Sequence, residues 1–215
     1  MKIIFSYDRP DALHKVLDEV GHATVLDDGS EYDVTPFLSK CDYHRGEHVG
    51  KEYFWTTWDY ALKLCRDSDA DRFMFMPDDW CNYDIERINW LYDNIDGAFA
   101  FNYANFGMES CWTSFKARRT KINGYECYQN GFVDCGFFTN RQTLELLGWE
   151  MEWISPDRFK RGRISSGVGE QLSRRLFKLG VPMYKPVHSL CEKQDCALDS
   201  KMNPIERKIN PRPML

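Results

Sequence analysis

Residues 72–80 read RFMFMPDDW. The apolar run Phe73–Met76 follows a charged turn at Asp67–Asp71 and stops at Pro77, which suits a short buried strand. Asp78 and Asp79 then stand at its carboxyl end. The pattern occurs twice upstream. Lys2–Ser6 (KIIFS) reads as a strand running into Tyr7-Asp8-Arg9-Pro10, and Ala23–Leu26 (ATVL) as another running into Asp27-Asp28-Gly29-Ser30, a dense turn cluster. Helical spacing fills the intervals. Leu13, Val16, Leu17 and Val20 follow Pro10 and end at Gly21; Phe54, Trp55, Trp58, Ala61, Leu62 and Cys65 trace one face within Lys51–Cys65. A helix near Asp84–Asn94 and a strand at Gly97–Asn102 continue the alternation. Strands alternating with helices of this length predict an α/β fold, a mostly parallel central sheet flanked by helices.

In open α/β sheets, ligands sit beyond the carboxyl ends of the strands. Aspartate is a good turn residue, which accounts for one acidic strand end. Three in register (Tyr7-Asp8, Asp27-Asp28 and Asp78-Asp79) point to a cation or a polar ligand, because clustered carboxylates repel one another.

The second half is less regular. Gly131–Thr139 (GFVDCGFFT) reads as a strand with a glycine break, Arg141–Leu147 as a short helix, and Val168–Leu179 as a helix closed by Gly180. Met183–Val187 reads as a late strand. Ser155–Gly167 is a polar, basic loop, and the last fifteen residues hold three prolines and no periodicity. At 215 residues the chain is expected to be one domain, with an acidic half (1–107) and an irregular half (108–215).

Net charge divides along the same line, −11 for residues 1–107 and +6 for residues 108–215. The first suits a divalent metal, the second a polyanionic ligand. No apolar stretch approaches the roughly 18–20 residues of a membrane span, and the run after Lys2 is too short for a signal-peptide core. Eight cysteines without a CxxC pair or clustered Cys/His spacing predict free thiols in a reducing compartment, the cytosol. Oligomeric state is not legible.

KIIFSYDRP (2–10), VLDDGS (25–30) and FMFMPDDW (73–80) together resemble, in order and spacing, the N-terminal signatures of family-2-type glycosyltransferases with the GT-A fold. The resemblance covers roughly the first hundred residues. It implies that Ser6, Tyr7, Asp8, Asp27 and Asp28 contact the nucleoside of a nucleotide-sugar donor, most commonly a UDP-sugar. It also implies that Asp79, assisted by Asp78, holds Mn²⁺ or Mg²⁺ on the diphosphate, a hard cation on oxygen ligands. Pro77 stands where many relatives carry a first acid.

Farther along, VDCGFFTNR (133–141) resembles the G-x-x-x-x-R segment lining the acceptor side, with Gly148-Trp149-Glu150 as its continuation. GVGEQL (167–172) resembles the helix start that supplies the catalytic base, which makes Glu170 the candidate base and Asp134 its competitor. Relatives place a histidine metal ligand near the C-terminal side. Here Lys193 holds that place, and His188 is the available substitute. Two basic segments remain, 116–121 (KARRTK) and 158–163 (RFKRGR). Arg158, Arg161 and Arg163 precede Glu170 and suit a lid over the diphosphate.

The implied reaction is an inverting single displacement onto an acceptor hydroxyl. A saccharide is the default acceptor. A hydroxymethylated DNA base, as in phage-type DNA glycosyltransferases acting in the host cytoplasm, is the more specific expectation, motivated by the basic half. The rival readings are a nucleotidyltransferase, which would carry a glycine-rich phosphate loop absent after Ser6, and a non-catalytic nucleotide- or carbohydrate-binding module.

Overall fold

The computed structural model describes residues 1–101, 118–129, 133, 136–157 and 166–193. In chain order the elements are β1 (Lys2–Ser6), α1 (Pro10–Val20), β2 (Ala23–Asp27), β3 (Cys41–Arg45), α2 (Gly50–Asp67), β4 (Arg72–Pro77), β5 (Trp80–Cys81) and α3 (Ile85–Asn94). There follow β6 (Ala98–Ala100), β7 (Arg118–Ile122), β8 (Tyr125–Gln129), β9 (Phe137–Asn140), α4 (Arg141–Leu146), α5 (Val168–Lys178), β10 (Met183–Pro186) and β11 (Glu192–Lys193). A nine-stranded sheet runs β3-β2-β1-β4-β9-β6-β10-β8-β7, and β11 pairs with β5 in a separate ribbon. The four strands from β3 to β4 are mutually parallel, as are β6 and β10; β9 and β8 run against their neighbours.

Alternation along the strands divides the core in two. Ile3, Phe5, Phe73 and Phe75 point to one face with Trp58, Ala61, Leu62 and Cys65 of α2 and Leu172 and Leu176 of α5. Ile4, Val25, Met74 and Met76 point to the other, with Leu13, Val16, Leu17 and Val20 of α1 and Ile88 and Leu91 of α3. The sheet is therefore a filled middle layer, and the continuous apolar runs of β1 and β4 follow from burial on both sides. Trp58 organises the α2 side, stacking on Phe5 (centroids 4.5 Å apart) and Phe137 (5.8 Å) and leaning on Phe75. The expected α/β architecture with flanking helices is the one found.

Two features were not read from the sequence, and a third departs from the reading. Residues 30–50 contain an edge strand, β3, in which Cys41 alone is buried. The basic segment 116–121 belongs in part to a hairpin: β7 and β8 meet at Asn123-Gly124, both at positive φ as a tight hairpin turn requires. Arg141, read from sequence as part of the acceptor side, sits at the opposite end of the sheet. There its guanidinium donates to the carbonyls of Ser68 (2.5 Å) and Ala70 (2.8 and 3.0 Å) just beyond the C-terminus of α2. Because β9 runs antiparallel, its first residues, not Arg141, lie beside the carboxyl ends of β4 and β6.

Among the described residues no helix is long and apolar enough to cross a membrane. The described cysteines 41, 65, 81, 127 and 191 are buried and free.

Candidate active site at the strand ends

The carboxyl ends of β1, β2 and β4 are hydrogen-bonded to one another. Backbone bonds begin the joint: Asp78 N–H donates to Phe5 O (3.0 Å) and Asp28 N–H to Ser6 O (2.9 Å). Side chains complete it. Asp78 Oδ2 accepts from Ser6 Oγ (2.9 Å) and Tyr7 N–H (3.1 Å), and Asp78 Oδ1 lies 2.7 Å from Arg9 Nη1. Asp8, exposed and at φ 51°, donates its N–H to Ser30 Oγ (2.7 Å). Ser30 in turn donates its N–H and its hydroxyl to Asp27.

The acids read from sequence as nucleoside and metal contacts have structural partners of their own. Asp27 is fully buried and closes the turn on Ser30, with Arg45 Nε 3.4 Å away. Asp28 accepts Val49 N–H (2.6 Å) and Gly50 N–H (3.0 Å) at the start of α2, where the helix dipole favours a negative charge. Gly29, which follows them, is at φ 78°, and a Cβ there would lie 2.6 Å from His48 N, so the turn demands glycine. Asp78 is buried and multiply hydrogen-bonded. Its carboxyl is raised to about 6, chiefly by burial, with Arg9 pulling it back and the neighbouring Asp79 adding to the rise. Asp79 is more open, its side chain 17% exposed, with Arg9 Nη1 3.7 Å from Oδ2.

Two residues that sequence reasoning passed over complete the rim. His48 accepts or donates through Nδ1 at 2.9 Å to the Asp28 carboxylate and carbonyl, and its ring stacks on Tyr7 at 4.3 Å. Its buried Nε2 has no hydrogen-bond partner among the described residues. Arg9 was visible in sequence only as part of a turn; its signal was a cation placed within an otherwise acidic set of strand ends.

Glu170 lies in the first turn of α5, half-buried and 3.0 Å from Arg174. Asp134, Arg158, Arg161 and Arg163 lie outside the described residues. The neighbour of Asp134 is nonetheless anchored: Val133 exchanges two hydrogen bonds with Ser173 of α5, donating its N–H (3.1 Å) and accepting at its carbonyl (3.0 Å). His188 is exposed in the turn after β10. The chain then returns to the acidic pair, because β11 places Lys193 opposite Trp80, the residue after Asp79.

A divalent cation can be tested against this arrangement. Among the described residues no three His, Cys, Asp or Glu side chains gather to hold a metal ion. Asp78 already accepts from Ser6, Tyr7 and Arg9. The described strand ends therefore form no complete metal site by themselves, and a cation there would have to bring oxygen ligands with it, a diphosphate's for instance.

No protein-family model matches the chain, and no curated protein sequence is detectably similar. Solved structures do match. CMP:2-keto-3-deoxy-manno-octonic acid synthetase, solved with CTP, aligns at TM-score 0.54 and 13% identity over 94% of this chain and 95% of the synthetase. GalNAc-T7, solved with UDP, GalNAc and Mn²⁺, aligns at TM-score 0.56 and 11% identity over 90% of this chain and 44% of that one. A protein described as a glucose-1-phosphate thymidylyltransferase from Bacillus anthracis, in complex with sucrose, aligns at TM-score 0.51 and 13% identity, covering 97% and 96% of the two chains. At such identities the likeness is one of architecture: this chain has the GT-A-like, Rossmann-like α/β fold.

Proposed function

We propose that this chain is a glycosyltransferase that moves a sugar from a nucleotide-sugar donor, a UDP-sugar by preference, to an acceptor hydroxyl. The observation that carries the reading is the joined strand ends: three acid-bearing turns, bonded to one another, bordering Asp79 in a GT-A-like fold. The nucleoside would lie along Tyr7, Asp8 and the Asp27–Asp28 turn, where the Tyr7–His48 stack offers a flat apolar face. Asp78 would act by holding Ser6, Tyr7 and Arg9 in place, a positioning role. Mn²⁺ or Mg²⁺, held by Asp79 and the diphosphate, would neutralise charge on the leaving group. His188 belongs to the metal set only if the turn after β10 swings toward Asp79.

Glu170 or Asp134 would take the proton from the acceptor hydroxyl as its oxygen bonds to the anomeric carbon. The bond to the nucleoside diphosphate breaks on the opposite face, inverting the centre. Arg158, Arg161 and Arg163 would cover the diphosphate from the loop before α5. The acceptor is a saccharide or a hydroxymethylated base in DNA, and a cytoplasmic setting suits either.

One of the matching structures is named a thymidylyltransferase and another is a synthetase solved with CTP, so the test must separate the two chemistries. Thermal unfolding should be followed across UDP-, GDP- and TDP-sugars and across free nucleoside triphosphates, with products identified by mass. A donor at a hundredfold excess over its Kd stabilises the native state by about 2.7 kcal/mol. Stabilisation by a nucleotide sugar with release of nucleoside diphosphate supports the proposal. Release of pyrophosphate from a triphosphate and a sugar phosphate would replace it with nucleotidyl transfer. Stabilisation without turnover would leave a binding module. For the DNA acceptor, binding must weaken steeply with salt, as phosphate contacts require.

A further inference from the structure

The acidic pair already has a cation beside it. Arg9 Nη1 lies 2.7 Å from Asp78 Oδ1 and 3.7 Å from Asp79 Oδ2, so one guanidinium serves both carboxylates. The arrangement is built rather than incidental. Arg9 is the residue before α1, where Leu13 N–H donates to its carbonyl (3.0 Å), and Pro10 at the first helical position fixes the backbone that follows. Its side chain is 21% exposed and Asp78's is 3% exposed, so the ion pair lies under the surface, where screening is weak. In the β11–β5 ribbon Lys193 stands opposite Trp80, the residue after Asp79.

A divalent ion approaching Asp79 meets this positive charge at close range. Like charges a few ångströms apart in a partly buried site repel strongly. A diphosphate changes the balance, since its oxygens both ligate the metal and neutralise the guanidinium.

We infer that Arg9 is a built-in counter-ion that keeps divalent metal off Asp78-Asp79 until a nucleoside diphosphate group arrives, so that metal binding is conditional on nucleotide. The inference rests on the reading of this pair as the diphosphate end of the donor site. It adds an order of assembly and assigns that order to one residue. By linkage, metal and nucleotide each raise the other's affinity by the same factor.

The test is Mn²⁺ binding to the full-length, nucleotide-free protein. Electron paramagnetic resonance reports the unbound ion in the presence of MnCl₂ alone, at a pH above the Asp78 titration. The wild type should bind weakly without nucleotide and more tightly with UDP present. Arg9→Ala should bind Mn²⁺ roughly tenfold or more tightly without nucleotide, because the repelling charge is gone. Arg9→Gln provides a second route if the alanine variant does not fold, since its amide can still donate to Asp78 while carrying no charge. Adding Asp79→Asn to either variant should abolish the gain.

Variants that bind Mn²⁺ no more tightly than the wild type would overturn the inference. So would a gain that survives Asp79→Asn, or a wild type that binds the bare ion as tightly as it does with UDP. Failure of glycosyl transfer is a separate outcome. A chain that shows this metal behaviour with UDP but transfers no sugar keeps the counter-ion and loses the enzyme.

Discussion

Asp27 and Asp28 are adjacent and identical in chemistry, yet the fold gives them different partners. Asp27 turns inward to Ser30 and stabilises the turn; Asp28 turns to the backbone N–H groups of Val49 and Gly50 and holds the start of α2. Sequence reading assigned both to the nucleoside, because an acid after a strand looks the same whichever group it serves. The distinction is measurable. Asp28→Ala removes a cap with two backbone donors, and caps of this kind contribute about 1–2 kcal/mol. The urea midpoint should fall accordingly in the absence of any ligand, while Asp28→Asn, which keeps one acceptor oxygen, should fall less. A midpoint unchanged in Asp28→Ala would mean that the carboxylate serves the ligand alone.

At the scale of elements, what could be read from sequence is what is buried on two faces. β1, β2 and β4 are apolar at nearly every position, so their lengths and polar ends were plain. β3 is an edge strand whose sequence, CDYHR, has one buried residue, and its pairing with β2 comes from backbone bonds that composition does not announce. The β7–β8 hairpin was concealed by its charges: Arg119 and Lys121 pair with Glu126 across the ladder, and the Asn123-Gly124 turn was the overlooked signal. The DDGS turn was read correctly as a turn, but its contact with the chain entering α2 is a tertiary fact. Gly29→Ala tests that contact. A methyl group at φ 78° and 2.6 Å from His48 N forces the turn and the α2 entry apart, so a loss of about 2 kcal/mol or more is expected in thermal or denaturant unfolding. The Tyr7–His48 stack should loosen with it, visible as changed shifts of the His48 ring protons.

For the whole molecule, the buried carboxyl of Asp78 makes stability depend on pH in a direction opposite to that of ordinary surface acids. Burial raises the Asp78 carboxyl from 3.8 to about 6, so the folded state holds this proton when the unfolded chain has released it. Stability contributed by the group is fully present below 3.8, declines as pH climbs through the interval, and is flat above about 6. At about 1.4 kcal/mol per pKa unit, the decline is of the order of 3 kcal/mol. Exposed acids held low by partners behave in the reverse sense. Asp18 is lowered by hydrogen bonding to Lys40 and Glu126 by the charge of Arg119, and both add stability as pH rises through and beyond their own, lower range. The two effects therefore act in adjacent windows and can be separated by removing one contributor. Arg9 is the group that pulls Asp78 down, so in Arg9→Gln the carboxyl titrates higher and the decline extends above pH 6. Denaturant unfolding of both proteins across this range should give curves that run together at the acid end and diverge toward neutrality, with Arg9→Gln the less stable. Parallel curves would mean that Arg9 does not set the charge of the buried carboxylate, and the joint between β1 and β4 would then rest on Ser6 and Tyr7.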